Sequence, residues 1–249
     1  MLEELIPAGL FGPDLLIAAL AVFAAGLIRG FSGFGSALIT APMLSWVWGP
    51  QVGVTVAALV EIAPALQLTP KAIQIANWRT VWSISIPAVL MLPLGSWILV
   101  NAPSDDMRRG IAVIVLLVVA ALWSGWRYRG PRGLGPEIGV GAIGGTLAGA
   151  AGVAGPPAIL YTMSGDDPPA VIRANLIGYF SIILIGIVIV FGLRGLITAE
   201  ALWRVGLLIP AFIVGTAIGT RMFGLASERT FRNIALSMLA ASSTWVLLA

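Results

Sequence analysis

The sequence contains no cysteine and no histidine. The absence of cysteine excludes disulfides, thiolate chemistry and cysteine-ligated metals. The absence of histidine removes the commonest metal ligand and the side chain that titrates near neutral pH. The sequence also has no H-E-x-x-H motif and no P-loop, which argues against an enzyme and against ATP as a driving force. We therefore expect no metal, no cofactor and no catalytic residue.

Charge is scarce as well. Only 10% of the residues are charged, whereas 59% are hydrophobic, and the mean hydropathy is +1.00. A chain of 249 residues with this balance is typical of a polytopic membrane protein. The net charge of +3 comes from arginines scattered among predicted loops and from one lysine, Lys71. Because they do not gather on one face, they indicate membrane topology and no nucleic-acid partner.

Proline, glycine and charged residues divide the chain into ten apolar segments, five in each half. The third to fifth segments of each half meet the length of roughly 20 residues that a spanning helix needs. The first two are short and are joined by a glycine-rich stretch, which predicts a helical hairpin. The segments lie at about 14–30, 35–48, 51–69, 80–100 and 108–126, and at about 135–150, 155–164, 169–192, 202–222 and 231–248.

The two halves repeat the same order of features. Gly30 corresponds to Gly149 at an offset of 119 residues, and Gly95 corresponds to Gly219 at an offset of 124. Since each half has an odd number of segments, the second half must start on the opposite side of the membrane. We therefore predict an all-α membrane protein of two inverted-topology repeats, each a glycine-broken hairpin followed by three transmembrane helices. The predicted single domain, 1–249, has its repeats at about 14–127 and 135–248, joined by a cytoplasmic linker at 127–134.

Basic residues set the predicted orientation. The linker holds Arg127, Arg129 and Arg132. With the linker inside, the loops place eight basic residues inside and four outside. The positive-inside rule then predicts that both termini lie outside.

Two dense glycine stretches interrupt the apolar sequence. The first stretch includes Gly33 and Gly35, and the second includes Gly152 and Gly155 with two prolines directly after it. Each interior glycine costs a helix about 1 kcal/mol relative to alanine, so both stretches predict helix breaks. The N-terminus of the helix that follows a break presents free N–H groups and partial positive charge, which suits an anion. Glycines spaced four apart, at 26 and 30, at 141, 145 and 149, and at 215 and 219, indicate close helix packing instead.

Polar residues beside the first break are candidate ligand contacts. Ser32 and Ser36 could donate hydroxyls to an anion, or could cap the next helix. Arg29 directly precedes the break, where its guanidinium could clamp anion oxygens or extend to the membrane surface as a topology mark.

Three further polar residues lie in predicted spans. Glu61 is the acidic residue in the middle of a span; it could pair with Arg29 or carry a coupling proton. Arg173 and Asn175 lie early in a later span. Arg173 could contact substrate or mark the inner surface, and Asn175 needs a helix or a ligand as its partner.

These motifs resemble those of the TauE/SafE family of membrane permeases, the sulfite-exporter family. The family has two glycine-rich motifs, each opening one half of the protein and followed by prolines. The stretch from Arg29 to Ser36, with Pro42, resembles the first motif, and residues 149–157 resemble the second. Arg173 with Ala174, and Gly215 with Gly219, match further family patterns. The resemblance covers nearly the whole chain.

The resemblance implies a secondary transporter that exports small sulfur-containing anions, such as sulfite or organosulfonates, across the bacterial inner membrane. The residues themselves suggest two breaks that meet near the midplane and halves that move by alternating access. A passive anion channel, or a permease for another small anion such as a carboxylate, stays open as an alternative. The expected partners are a small anion and the lipid bilayer, with proton coupling and a homodimer as further hypotheses.

The inverted repeat can be tested with reporter fusions in two loops, at 70–78 and at 101–106. Because one predicted span separates them, we expect the first loop inside and the second outside. Reporters that label both loops on the same side would overturn the repeat prediction.

Overall fold

A computed structural model describes residues 12–32, 35–125, 128–222 and 228–248, and every element in these ranges is an α-helix. In chain order the helices are α1 (Pro13–Ser32), α2 (Ala37–Trp48), α3 (Pro50–Val60), α4 (Ile62–Ala72), α5 (Trp78–Asn101), α6 (Ser104–Trp123), α7 (Leu134–Ala151), α8 (Gly155–Thr162), α9 (Pro169–Leu193), α10 (Ala199–Met222) and α11 (Glu228–Leu248). The prediction of an all-helical polytopic membrane protein is confirmed.

Five stretches of the described residues are long and apolar enough to cross a membrane: Pro13–Gly30, Pro50–Ala72, Trp78–Asn101, Pro169–Leu193 and Ala199–Arg221. The first of these corrects the expectation that the opening segment is short, because α1 has 20 residues. In contrast, α6 opens with charged residues, including Asp105 and Asp106, and these shorten its apolar part.

The predicted span at 51–69 lies within the apolar stretch Pro50–Ala72, whose helix is interrupted at Glu61 between α3 and α4. Glu61 keeps dihedral angles of the right-handed helical region, with φ −67° and ψ −11°, so the interruption is local. Pro64 explains the interruption, since a proline ring clashes with the carbonyl four residues earlier, here that of Val60. Regular hydrogen bonding resumes where the Ala65 N–H donates to the Glu61 carbonyl at 3.2 Å.

The helices form two compact units. One unit contains α1, α2, α3, most of α6, α10 and α11, and the other contains α4, α5, α7, α8 and α9. The most extensive helix pair of the first unit is α1 with α10, and that of the second is α5 with α7. Each pair therefore joins one helix from each predicted repeat. The repeat boundaries themselves stay a prediction.

In the second unit, small residues let α5 and α7 approach closely. Gly141, Gly145 and Gly149 are spaced one turn apart along α7 and face α5. A Cβ added to Gly149 would lie 2.5 Å from the Leu92 carbonyl oxygen and 2.8 Å from the Ser96 nitrogen. Only glycine allows this backbone contact, as in small-xxx-small packing between membrane helices.

In the first unit, glycines from both helices bring α1 against α10. A Cβ on Gly26 would lie 2.6 Å from the Phe212 carbonyl oxygen. Gly30 meets the α10 backbone, and Gly215 and Gly219 meet the α1 backbone in the same manner. The interpretation of the spaced glycines as packing residues holds for both units.

The two interfaces share one register. Gly30 packs against Thr216, whereas Gly149 packs against Leu92. The two glycines differ by 119 residues and their partners by 124, which are the offsets found between the halves of the sequence. The packing is thus built twice with corresponding residues. The opposite orientation of the repeats in the membrane stays a prediction.

Two alanine substitutions on α7 test the packing of this helix against α5. Gly145→Ala places a methyl group 2.6 Å from the Ala88 Cα, whereas at Gly139, on the same helix, nothing lies within 4 Å. We expect Gly145→Ala to lower stability by about 1–3 kcal/mol through overpacking. Gly139→Ala should be neutral or stabilising by up to about 1 kcal/mol through helix propensity. Melting temperatures in detergent measure both, and equal shifts would contradict the packing.

Candidate functional site

The first break lies between α1, which ends at Ser32, and α2, which begins at Ala37. Gly35 has φ +95°, a conformation that glycine adopts without the steric cost of a Cβ. Gly33 lies outside the described residues, and the side chain of Ser32 is likewise not described. The predicted interruption is therefore present, and Gly35 is the residue that permits its geometry.

Arg29 and Ser36 meet at this break. Arg29 lies in the last turn of α1 and is only 9% exposed, and Ser36 at the start of α2 is fully buried. The Arg29 Nη1 donates to the Ser36 Oγ at 3.4 Å. A guanidinium, a hydroxyl and the positive end of a helix thus lie together in a buried place. Such a set of donors suits the oxygens of a small anion.

The hydroxyls near α2 serve different roles. Ser36 makes no side-chain cap for the helix, so the capping alternative is not what the structure has. The Thr40 hydroxyl instead donates to the Ser36 carbonyl at 3.2 Å, which is a bond within its own helix. The Ser36 Oγ is therefore the α2 hydroxyl that faces the guanidinium.

The second break is closed by hydrogen bonds at the end of α7. Gly152 has φ +69°, in the left-handed region, and its N–H donates to the Ala148 carbonyl at 3.0 Å. The Val153 N–H donates to the Leu147 carbonyl at 3.3 Å. The bond from Gly152 to Ala148 is that of an αL C-cap, in which a left-handed glycine ends the helix. The next helix, α8, then begins at Gly155, followed by two prolines that suit the first turn.

Tyr179 on α9 holds the second break from the side. Its hydroxyl donates to the Ala154 carbonyl at 3.1 Å, and its ring is 1% exposed. Gly144 on α7 leaves room for that hydroxyl, because a Cβ there would overlap it. Sequence reasoning missed Tyr179. The available signal was a tyrosine inside an apolar span, where a buried hydroxyl needs a partner.

The remaining predicted residues of α9 have separate places. Asn175 is 3% exposed, and its Oδ1 accepts the N–H of Asn77 at 2.6 Å, just before α5. The partner that the sequence required for Asn175 is thus a helix N-terminus. Arg173 lies one turn into α9 with an exposed side chain. The structure does not bring Arg173 to the second break.

Glu61 lies in the turn between α3 and α4 and is partly buried. Arg29 belongs to the first compact unit, and Glu61 begins the second. The pairing of these two side chains and a role of Glu61 in proton coupling stay predictions. In the described part of the chain, no three acidic residues gather as a metal site would require.

Comparison with known proteins identifies the family. Residues 18–246 match the model of a family described as sulfite exporter TauE/SafE. The chain belongs to the TauE/SafE family. A similar protein from Cupriavidus necator, named "Probable sulfite/organosulfonate exporter TauE", is 27% identical over 266 aligned residues. The alignment covers 98% of this chain and 99% of that relative. No solved structure matches the chain.

Family membership confirms the resemblance carried by the glycine motifs. The match spans both breaks and, in whole or in part, each of the eleven helices among the described residues. As a TauE/SafE protein, the chain is a membrane transporter of the exporter type. The described parts of both family motifs lie at helix breaks, and the Arg-Ala pair at 173–174 lies on α9.

Tyr179→Phe tests the support of the second break in this TauE/SafE protein. The change removes one hydroxyl and leaves the buried Ala154 carbonyl without its donor, which should cost about 1–3 kcal/mol. Tyr128→Phe is the matched control, because the Tyr128 hydroxyl donates to the Pro131 carbonyl in an exposed place. We expect the control to change stability by less than about 0.5 kcal/mol. Thermal unfolding in detergent compares them, and an unchanged Tyr179→Phe variant would contradict the support.

Proposed function

We propose that the chain is a secondary transporter that exports small sulfur-containing anions, such as sulfite or organosulfonates, and that it is not an enzyme. Family membership supports transport of the exporter type, and the printed name of the relative supports the substrate class. The proposed location is the bacterial inner membrane. The observation that carries the proposal is the buried contact of Arg29 with Ser36 at the first break.

The chemistry of this contact fits an oxyanion. A charged group inside a membrane protein is costly, and such groups tend to mark substrate pathways. The Arg29 guanidinium offers several N–H donors in a planar fork, and the Ser36 hydroxyl adds another donor. Sulfite and sulfonate groups present several oxygens around one sulfur, which a guanidinium can contact in pairs. The helix dipole of α2 adds to the attraction, since its N-terminus begins beside Ser36.

Transport follows if the anion is exposed to the two sides in turn. We propose alternating access, in which the protein opens to one side of the membrane at a time. A ring of like charges would favour a passive channel, and the sequence has none. Proton coupling through Glu61 belongs to the same proposal.

Counterflow of radiolabelled sulfite in proteoliposomes tests the function directly. Counterflow needs no driving gradient, so the unknown direction and coupling ion do not affect it. We expect saturable exchange, with unlabelled sulfonates competing better than carboxylates. Stronger competition by carboxylates would move the proposal to another anion, whereas flux that does not saturate would favour a channel.

Arg29→Ala should abolish anion binding while the protein stays folded. A charge-assisted hydrogen bond contributes about 1.5–3 kcal/mol, so loss of the paired bonds from the guanidinium should raise half-saturation beyond the measurable range. Arg29→Lys keeps the charge without the planar fork and should recover part of the affinity. Arg221→Ala is the control, since Arg221 is an exposed arginine in the last turn of α10. Full affinity in Arg29→Ala would remove Arg29 from the site.

A further inference from the structure

In the second unit, Arg132 contacts the C-terminal end of α8. The Arg132 guanidinium carbon lies 4.7 Å from the centre of the Tyr161 ring. The Arg132 Nη2 also donates to the Tyr161 carbonyl at 2.9 Å. Tyr161 is in the last turn of α8, where a cation is favoured by the negative end of the helix. Arg132 thus binds both the ring and the backbone at this helix end.

Tyr161 also joins the end of α8 to the start of α7. Its hydroxyl donates to the Glu137 Oε1 at 3.3 Å and accepts the Gly133 N–H at 3.3 Å. The ring is 1% exposed. The Tyr128 ring lies 5.4 Å from the Tyr161 ring, and the Tyr128 N–H donates to the Ser164 Oγ at 2.9 Å. The segment before α7 therefore joins the start of α7 to the C-terminal end of α8.

The first unit has a contact of the same kind. The Arg204 guanidinium carbon lies 4.4 Å from the centre of the Trp48 ring. Trp48 is the last residue of α2, and Arg204 is oriented by Glu200 at 2.5 Å, one turn earlier on α10. In each unit, the short helix that follows a break ends beneath an arginine. The two contacts use different partner elements, a loop in one unit and a helix in the other.

These helices are short enough for the arginine contact at one end to affect the break at the other. At 1.5 Å per residue, the eight residues of α8 span about 12 Å and the twelve of α2 about 18 Å. A helix this short moves as one rigid piece. Its N-terminus lies at the break and its C-terminus lies at the arginine contact, so a shift at one end displaces the other. Binding groups work only when supporting residues hold them within about 0.5 Å.

We propose that Arg132 and Arg204 are positioning residues for anion binding. Each one anchors the C-terminal end of a short helix, α8 or α2, and so keeps the N-terminus of that helix in place at its break. The anion-binding part of this inference rests on the proposed function, whereas the anchoring part does not.

Cysteine labelling tests the anchoring without any substrate. The chain has no cysteine, so one introduced thiol reports on one place. Ala154→Cys, 8% exposed at the second break, is the reporter for Arg132, and Ala37→Cys at the start of α2 is the reporter for Arg204. We expect Arg132→Gln and Arg204→Gln to speed maleimide labelling of their reporters by about three- to thirtyfold, as loss of a cation–π contact would.

Matched arginines serve as controls. Arg129→Gln removes an exposed arginine three residues from Arg132, and Arg109→Gln removes an exposed arginine of the first unit. Neither should change labelling. Tyr161→Phe keeps the ring under Arg132 and loses only the hydroxyl bonds, so it should speed labelling less than Arg132→Gln. Arg132→Lys loses the planar fork but keeps the charge, so it should speed labelling less than Arg132→Gln and more than Arg129→Gln, and it decides the matter if Arg132→Gln does not fold.

Counterflow then separates positioning from general stability. We expect Arg132→Gln to raise the half-saturation concentration by about three- to thirtyfold while the maximal rate is kept, with Arg132→Lys partly restoring the affinity. Labelling rates equal to those of the controls would overturn the anchoring. A lower maximal rate with unchanged half-saturation would overturn the positioning role. If the parent protein shows no counterflow with any anion, the proposed function fails, and labelling still decides the anchoring.

Discussion

A membrane interior offers no water to a free backbone N–H or carbonyl, and the structure depends on meeting this constraint at two helix breaks. At the second break, specific hydrogen bonds satisfy the backbone groups. Gly152 turns the chain so that the last carbonyls of α7 are bonded, and Tyr179 supplies a hydroxyl to the Ala154 carbonyl. At the first break, Gly35 permits the turn and Ser36 accepts hydrogen bonds at the start of α2.

A second property of the membrane explains why glycine dominates the packing around the breaks. Lipid tails are as apolar as leucine, so membrane helices gain little from hydrophobic burial and instead need close van der Waals contact. The pairs α1 with α10 and α5 with α7 meet this need by placing glycines against the partner backbone. Each broken hairpin is thereby packed on an unbroken long helix. The breaks can remain irregular because the helices beside them are firmly held.

Much of the fold was predictable because its signals are local. Apolar length and glycine density predicted the helix positions and both breaks, and the four-residue glycine spacing predicted close packing. Pro64 could have revealed the helix interruption at Glu61, since its ring clashes with the carbonyl of Val60. Tyr179 was harder to assign, because a tyrosine becomes a site residue only when its hydroxyl has a particular carbonyl within reach. Arg132 was predicted as a topology mark, and its contact with Tyr161 depends on a fold that returns α8 to the start of α7.

By itself, the sequence determined an all-helical membrane protein of the TauE/SafE family, with two glycine breaks in corresponding places and a buried-arginine candidate beside the first. These properties follow from composition and short-range pattern. Only the tertiary structure decided that α1 packs on α10 and α5 on α7, so that each compact unit combines helices of both halves. A glycine stripe shows that a helix face will be packed closely, but it carries no information on the partner. The partner is selected by the match of two backbone surfaces, which exists only once both helices are folded and placed together.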